Sequence, residues 1–233
     1  MPGREIIVIG FSAGGVEALT RMIPDLPSDF PAAILIVQHF PGHSVSLLPR
    51  ILSRLGHLPA THGVDGERIR PGHIYVSCPE RHLLVNGDRI QLSRGPKENG
   101  HRPAINPLFR TAARSYGPRV VGVLLSGTLD DGTDGLRVIK QCGGLAVVQQ
   151  PEDAIFADMP ANAMRRVSVD HVEPAATLGT LLVTVVSGIV VSERAVLLPV
   201  LIGSADDPTD VPVPERGQPH AILTPPGFGR RSG

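Results

Sequence analysis

Residues 5–15 read EIIVIGFSAGG, a buried-strand pattern that stops abruptly at a glycine-rich turn. The apolar run Ile6, Ile7, Val8 and Ile9 ends at Gly10-Phe11-Ser12-Ala13-Gly14-Gly15. Beyond it Val16, Leu19, Met22 and Ile23 fall on one helical face. A strand turning sharply into a helix, with serine at the apex and glycine on either side, has the form of a nucleophile elbow, G-x-S-x-G. Glycine suits such a turn because a Cβ would clash. The helix N-terminus behind the serine offers unpaired N–H groups and a positive dipole end, which suit a developing oxyanion. The same strand–turn–helix also begins mononucleotide-binding βαβ units, and in many proteins it is a plain tight turn. Ser12 occupies the second glycine position of G-x-G-x-x-G, and no G-x-x-x-x-G-K-[ST] is present, so phosphate cradling lacks its usual sequence support. Nucleophile, structural turn and nucleotide site all remain open on this motif alone.

Further apolar runs at 32–38, 73–77, 82–85, 119–125 and 144–149 read as strands. Helical patterns lie between them at about 15–23, 44–54, 104–116 and 133–142. This alternation predicts an α/β fold, a modified doubly wound, mostly parallel sheet with helices on its faces. One interruption stands out, IYVSCPERHLLV-NGD-RIQLSRG, where Asn86-Gly87 invites a tight turn. It predicts an antiparallel hairpin inserted in, or at the edge of, the parallel sheet. The apolar stretch Leu178–Val191 is shorter than the ~20 residues a membrane-spanning helix needs, and reads as a docked C-terminal helix or strand.

With 233 residues, 42% of them hydrophobic, the chain can bury one sizeable core. Lys+Arg and Asp+Glu both number 22, a balance that argues for neither nucleic acid nor a membrane surface as partner. Cys78 and Cys142 lack metal or disulfide spacing and read as reduced thiols. The first strand follows the N-terminus directly, leaving no room for a signal peptide, so the expected location is cytoplasmic. Six prolines fall in the last 31 residues, at 208, 212, 214, 219, 225 and 226. The expected organisation is a catalytic domain over 1–202 and a disordered tail over 203–233.

A serine nucleophile needs a base, and the base a carboxylate to orient it. In open α/β sheets such groups gather at the carboxyl ends of strands. His39 directly follows the second apolar run in IVQHFPG, as a base would, although a histidine there can equally cap a strand. Asp130, Asp131 and Asp134 follow a buried strand in LLSGTLDDGTDG, where one can cap the next helix while another does chemistry. A zinc site from His39 and His43 is disfavoured because Pro41-Gly42 breaks the helix that would align them. The acid cluster lacks EF-hand spacing, and neither metal nor cofactor is expected.

Several blocks in order, GFSAGG, VQHFPGHSVSLLPRIL, GHIYVSCPERHLLV, GPKENGHRPAINPLFRTAA, LLSGTLDDGTDGL and QQPEDAIFADMPANAM, resemble the catalytic domain of the chemotaxis protein-glutamate methylesterase family over about residues 5–185. The resemblance implies a Ser–His–Asp triad of Ser12, His39 and Asp131, with Asp130 a bystander. It also implies hydrolysis of glutamyl γ-methyl esters on methyl-accepting chemoreceptors to glutamate and methanol; many members also deamidate receptor glutamines.

Four positions depart from the family pattern: Ala13 where Thr is usual, Thr128-Leu129 where Met-Gly is usual, and Asp158 where Gly commonly precedes Met-Pro. The family's Met lends a backbone group to the oxyanion site. No phosphorylatable receiver domain precedes the catalytic one, so the expectation is basal activity without an acyl-phosphate donor, with any control supplied by a separate receiver or kinase partner. The alternative reading is a weak or inactive homologue acting as a receptor- or partner-binding adaptor.

Overall fold

The computed structural model describes residues 3–39 and 46–188. The expected tail over 203–233, the domain boundary at 202 and His43 lie outside the described residues. Seven parallel strands form one sheet, in the order β3 (Ala60–His62), β4 (Ile74–Val76), β2 (Ala33–Gln38), β1 (Ile6–Phe11), β7 (Val120–Leu124), β8 (Leu145–Gln149) and β9 (His171–Glu173). β1 is central and fully buried because it is covered on both faces, which is why it reads as a continuous apolar run rather than an alternating one.

Alternate side chains of β1 serve different cores. Ile7, Ile9 and Phe11 pack with α1 (Gly15–Met22), α2 (Leu48–Leu55) and α6 (Ala175–Ser187). Ile6 and Val8 join the opposite core, with α3 (Ile105–Tyr116), α4 (Thr133–Gln141) and α5 (Asp158–Arg166). The expected doubly wound fold is therefore present. The chain builds β1, β2, β4 and β3 to one side, then β7, β8 and β9 to the other, so β1 and β7 flank the point where strand order reverses. In open sheets that crevice, at the strands' carboxyl ends, is where ligands bind.

The hairpin forms as β5 (His82–Asn86) and β6 (Arg89–Ser93), with Gly87 at φ 59 in the turn. It makes a separate two-stranded sheet instead of joining the large one. Its Leu83, Val85 and Ile90 bury with Leu108 and Phe109 of α3. Thr111 Oγ1 of α3 accepts the Val85 N–H at 3.0 Å, satisfying part of an otherwise open edge.

Of the two readings of 178–191, the helix holds as far as Ser187, in α6. Three elements carried no legible pattern. β3 and β9 are three residues each and only partly buried. α5 buries just Met159, Pro160 and Ala163, and its Pro160 is tolerated because the first helical turn donates no intrahelical N–H there.

Candidate active site

Backbone register alone brings the first two candidates together. β1 and β2 pair up to Phe11↔Gln38, so Ser12 and His39 are the next residues on neighbouring strands. The His39 N–H donates to the Phe11 carbonyl at 3.2 Å, and the Ser12 N–H donates to the Ser126 carbonyl beyond β7 at 3.0 Å. Ser12 thus sits at the strand-order reversal, at the sharp entry to α1. Gly14 caps α1 with φ 77, and a Cβ there would lie 2.6 Å from Ser126 Oγ and 2.7 Å from Ile155 Cβ. Across the site, a Cβ on Gly127 would lie 2.1 Å from Met159 Sδ and 2.9 Å from Ser12 Cβ. The elbow is therefore held by close backbone approach, which only glycine permits at both places.

His39 Nε2 and Asp131 Oδ2 are 2.8 Å apart, with both side chains almost wholly buried. An ionised carboxylate can only accept, so Nε2 carries the proton and Nδ1 is left as the nitrogen with a free lone pair. Asp131 is heavily solvated by the protein. Its Oδ2 also accepts the Ile105 N–H at 2.7 Å, and its Oδ1 accepts from Asn99 Nδ2 at 3.1 Å, the Asn106 N–H at 3.2 Å and the Gly132 N–H at 2.9 Å. Ile105 and Asn106 open α3, whose N-cap residue Ala104 makes no side-chain cap, so Asp131 caps that helix from another part of the chain. Burial alone would push the Asp131 carboxyl up. The bonds from His39, Ile105 and Asn106, with the attraction of His39, outweigh burial and hold it below the usual carboxylate value. Asn106 Oδ1 in turn accepts the N–H groups of Gly132 at 3.1 Å and Gly135 at 2.7 Å, tying α3 to the start of α4.

The other two acids do neither of these things. Asp130 pairs with Arg166 of α5 at 2.8 Å, and Asp134 pairs with Arg137 on the α4 surface. Among the described residues Ser12 Oγ makes no hydrogen bond to His39. Catalytic contacts are often long without substrate and tighten when it binds. The N–H groups of Ala13 and Thr128 find no acceptor among the described residues.

His101 is the site residue that sequence reasoning missed. Its ring stacks on His39 with centroids 3.7 Å apart and planes 5° from parallel. A long-range stack leaves no period or spacing in a sequence; the one hint was its place in the GPKENGHRPAINPLF block. Beside the two rings a cavity of about 200 Å³ is walled by Asn99, Thr128, Leu129 and Asp131.

Leu129 stands 66% exposed at φ 65, in the left-handed region that side-chain-bearing residues rarely adopt. Asn162 Nδ2 donates to its carbonyl at 2.6 Å, holding the loop on that path. Leu129→Gly is expected to relieve left-handed strain of about 1–2 kcal/mol against glycine's larger chain entropy, for a net gain of about 0.5–1 kcal/mol. Thermal unfolding reads this as a rise of roughly 1–4 °C; an unchanged or lower Tm would show that the Leu129 side chain stabilises the loop.

Comparisons with known proteins give the family. The CheB methylesterase family model matches residues 7–182. The chain belongs to the CheB methylesterase family. It is 43% identical over 169 residues to a relative from Leptospira interrogans serogroup Icterohaemorrhagiae serovar copenhageni, provisionally named a protein-glutamate methylesterase/protein-glutamine glutaminase; the match covers 72% of this chain and 88% of the relative. A Methanosarcina mazei protein-glutamate methylesterase/protein-glutamine glutaminase is 37% identical over 179 residues, 73% of this chain and 49% of the relative. The chain thus spans about half of that longer protein, and most of the Leptospira one. The crystal structure of the Thermotoga maritima CheB methylesterase catalytic domain superposes with a TM-score of 0.74 at 32% identity, covering 78% of this chain and 98% of that one. Curated CheB relatives are named as hydrolases of this kind, and this chain is a hydrolase of the same family. Among the described residues no helix is long and apolar enough to cross a membrane.

Proposed function

We propose that this chain hydrolyses glutamyl γ-methyl esters on methyl-accepting chemoreceptors, and deamidates receptor glutamines with the same groups. The observation that carries this reading is the buried 2.8 Å pair of His39 Nε2 and Asp131 Oδ2, one register step from Ser12 at the strand-order reversal. With its proton on Nε2, His39 has Nδ1 free to take the proton of Ser12 Oγ as that oxygen attacks the ester carbonyl. The oxyanion is met by the N–H groups of Ala13 and Thr128. Collapse expels methoxide, which takes the proton from His39 and leaves as methanol. Water then attacks the acyl-serine with His39 again as base, releasing the glutamate and restoring Ser12. For a glutamine the leaving group is ammonia.

The adaptor reading rests on the exchange of Met-Gly for Thr128-Leu129. Leu129 adopts the conformation a glycine would, and the Asn162 bond holds its carbonyl, so the backbone donor at Thr128 does not depend on the lost side chains. Methanol release from methylated receptor membranes, wild type against Ser12→Ala, separates the two readings: equal release overturns the esterase. The pH profile gives a further check. His39 must be neutral to accept a proton, so kcat/KM should fall once the pH is low enough to protonate it. Loss of activity with a chelator, restored by Zn²⁺ or Mg²⁺, would overturn the triad.

A further inference from the structure

Residues 98–101 form a small clamp over the base. The backbone N–H and carbonyl groups of Glu98 and His101 pair reciprocally at 3.0 and 2.9 Å. Asn99 and Gly100 turn the chain between them at φ 50 and φ 79. Every corner is anchored. The Glu98 carboxylate takes two bonds from Arg110 of α3, at 2.6 and 2.7 Å, and Asn99 Nδ2 bonds Asp131. The fourth residue lays its ring flat on His39 at 3.7 Å. The segment thus touches both His39 and Asp131.

Resting on the reading of His39 as the base, we infer that His101 is a positioning residue: its stacked ring fixes the plane in which His39 moves between Ser12 and Asp131, and it stays uncharged while His39 carries the proton. A flat neighbour at van der Waals distance blocks rotation of His39 out of the line to Asp131. It also keeps water from one face of that hydrogen bond. Two imidazolium rings at this separation would repel, so the plate works only if it remains neutral. The groups facing His101 are His39, Asp131 and Lys97. Burial first, then the charge of His39, then Lys97 push its ionisation down, and Asp131 opposes them. Asp130, near the same cavity, is occupied by Arg166.

The test is steady-state kinetics on methylated receptor membranes across pH, with a fluorophosphonate probe reporting Ser12 reactivity independently of receptor binding. His101→Ala is expected to lower kcat and the labelling rate by about 10–100-fold, with KM within about threefold, because a loosened base misaligns. His101→Phe, which keeps a flat face and cannot titrate, should recover both to within about threefold of wild type. The acid limb of the wild-type kcat/KM profile should have a slope of one. A slope of two would show that His101 also takes a proton, and overturns the inference without any variant. Unchanged kcat and labelling in folded His101→Ala, or His101→Phe as slow as His101→Ala, would overturn it too. Ser12→Ala in the same assay keeps the two readings apart. If it is active, the esterase reading itself fails; if it is inactive while His101→Ala is indifferent, only the role of His101 fails.

Discussion

Ser12→Ala is expected to lower kcat for methyl-ester hydrolysis by about 10⁴–10⁶ without unfolding the protein. Ser12 is half-buried, and its Oγ makes no hydrogen bond to His39 among the described residues. Removing that oxygen therefore leaves no orphaned polar partner, and stability should change by no more than about 0.5 kcal/mol. The close contact that shapes the elbow is to Ser12 Cβ, which alanine keeps. His39→Ala should be as damaging to kcat but should also lower Tm, because it strips the Asp131 carboxylate of a 2.8 Å donor and leaves a gap beneath the His101 ring. The pair of variants separates chemistry from architecture. The measurement is methanol release at saturating receptor, alongside thermal unfolding. A Ser12→Ala enzyme retaining a tenth of wild-type kcat would mean that another group supplies the nucleophile.

How far this could be read in the sequence depends on the range of each interaction. The β1 elbow was legible because a central parallel strand is apolar on both faces and the turn after it is rich in glycine, which its left-handed position 14 requires. Ser12 and His39 were legible as strand-end residues, and adjacent parallel strands in register did the rest. Asp131 was not separable from Asp130 or Asp134 by spacing, because the choice depends on which way the loop turns and on the buried N-terminus of α3, which has no side-chain cap of its own. Only the resemblance picked it out. The hairpin was expected with the parallel sheet, but its Leu83, Val85 and Ile90 find their apolar partners on α3, a packing choice that no local pattern encodes. The stack of His101 on His39 joins positions 62 residues apart (101 − 39) and is likewise invisible to periodicity.

The contrast between neighbouring acids should be nearly as large as the effect of Ser12→Ala. Asp131→Asn is expected to lower kcat by about 10⁴, whereas Asp130→Asn, which loses an exposed pair with Arg166, should stay within about twofold, in line with the small worth of surface ion pairs. Both oxygens of Asp131 face donors only: two at Oδ2 and three at Oδ1. An amide must turn its NH₂ toward one set. At Oδ2 it would force His39 to accept at Nε2, moving the proton to Nδ1 and removing the lone pair that the proposed proton transfer from Ser12 uses. At Oδ1 it would oppose the N–H groups of Asn106 and Gly132. Either arrangement leaves buried donors unpaired, a stability cost on the order of 1–3 kcal/mol. The same carboxylate sets a pH dependence. Because its folded value lies below the unfolded one, its contribution is complete above the ordinary carboxylate value of about 3.9 and is lost as pH falls through the lower folded value. Chemical denaturation at pH 7 and at pH 3 should therefore show a smaller penalty for Asp131→Asn at pH 3. An equal penalty at both would mean that the carboxylate's charge contributes nothing to the fold, and equal kcat losses in Asp130→Asn and Asp131→Asn would assign the acid to the wrong residue.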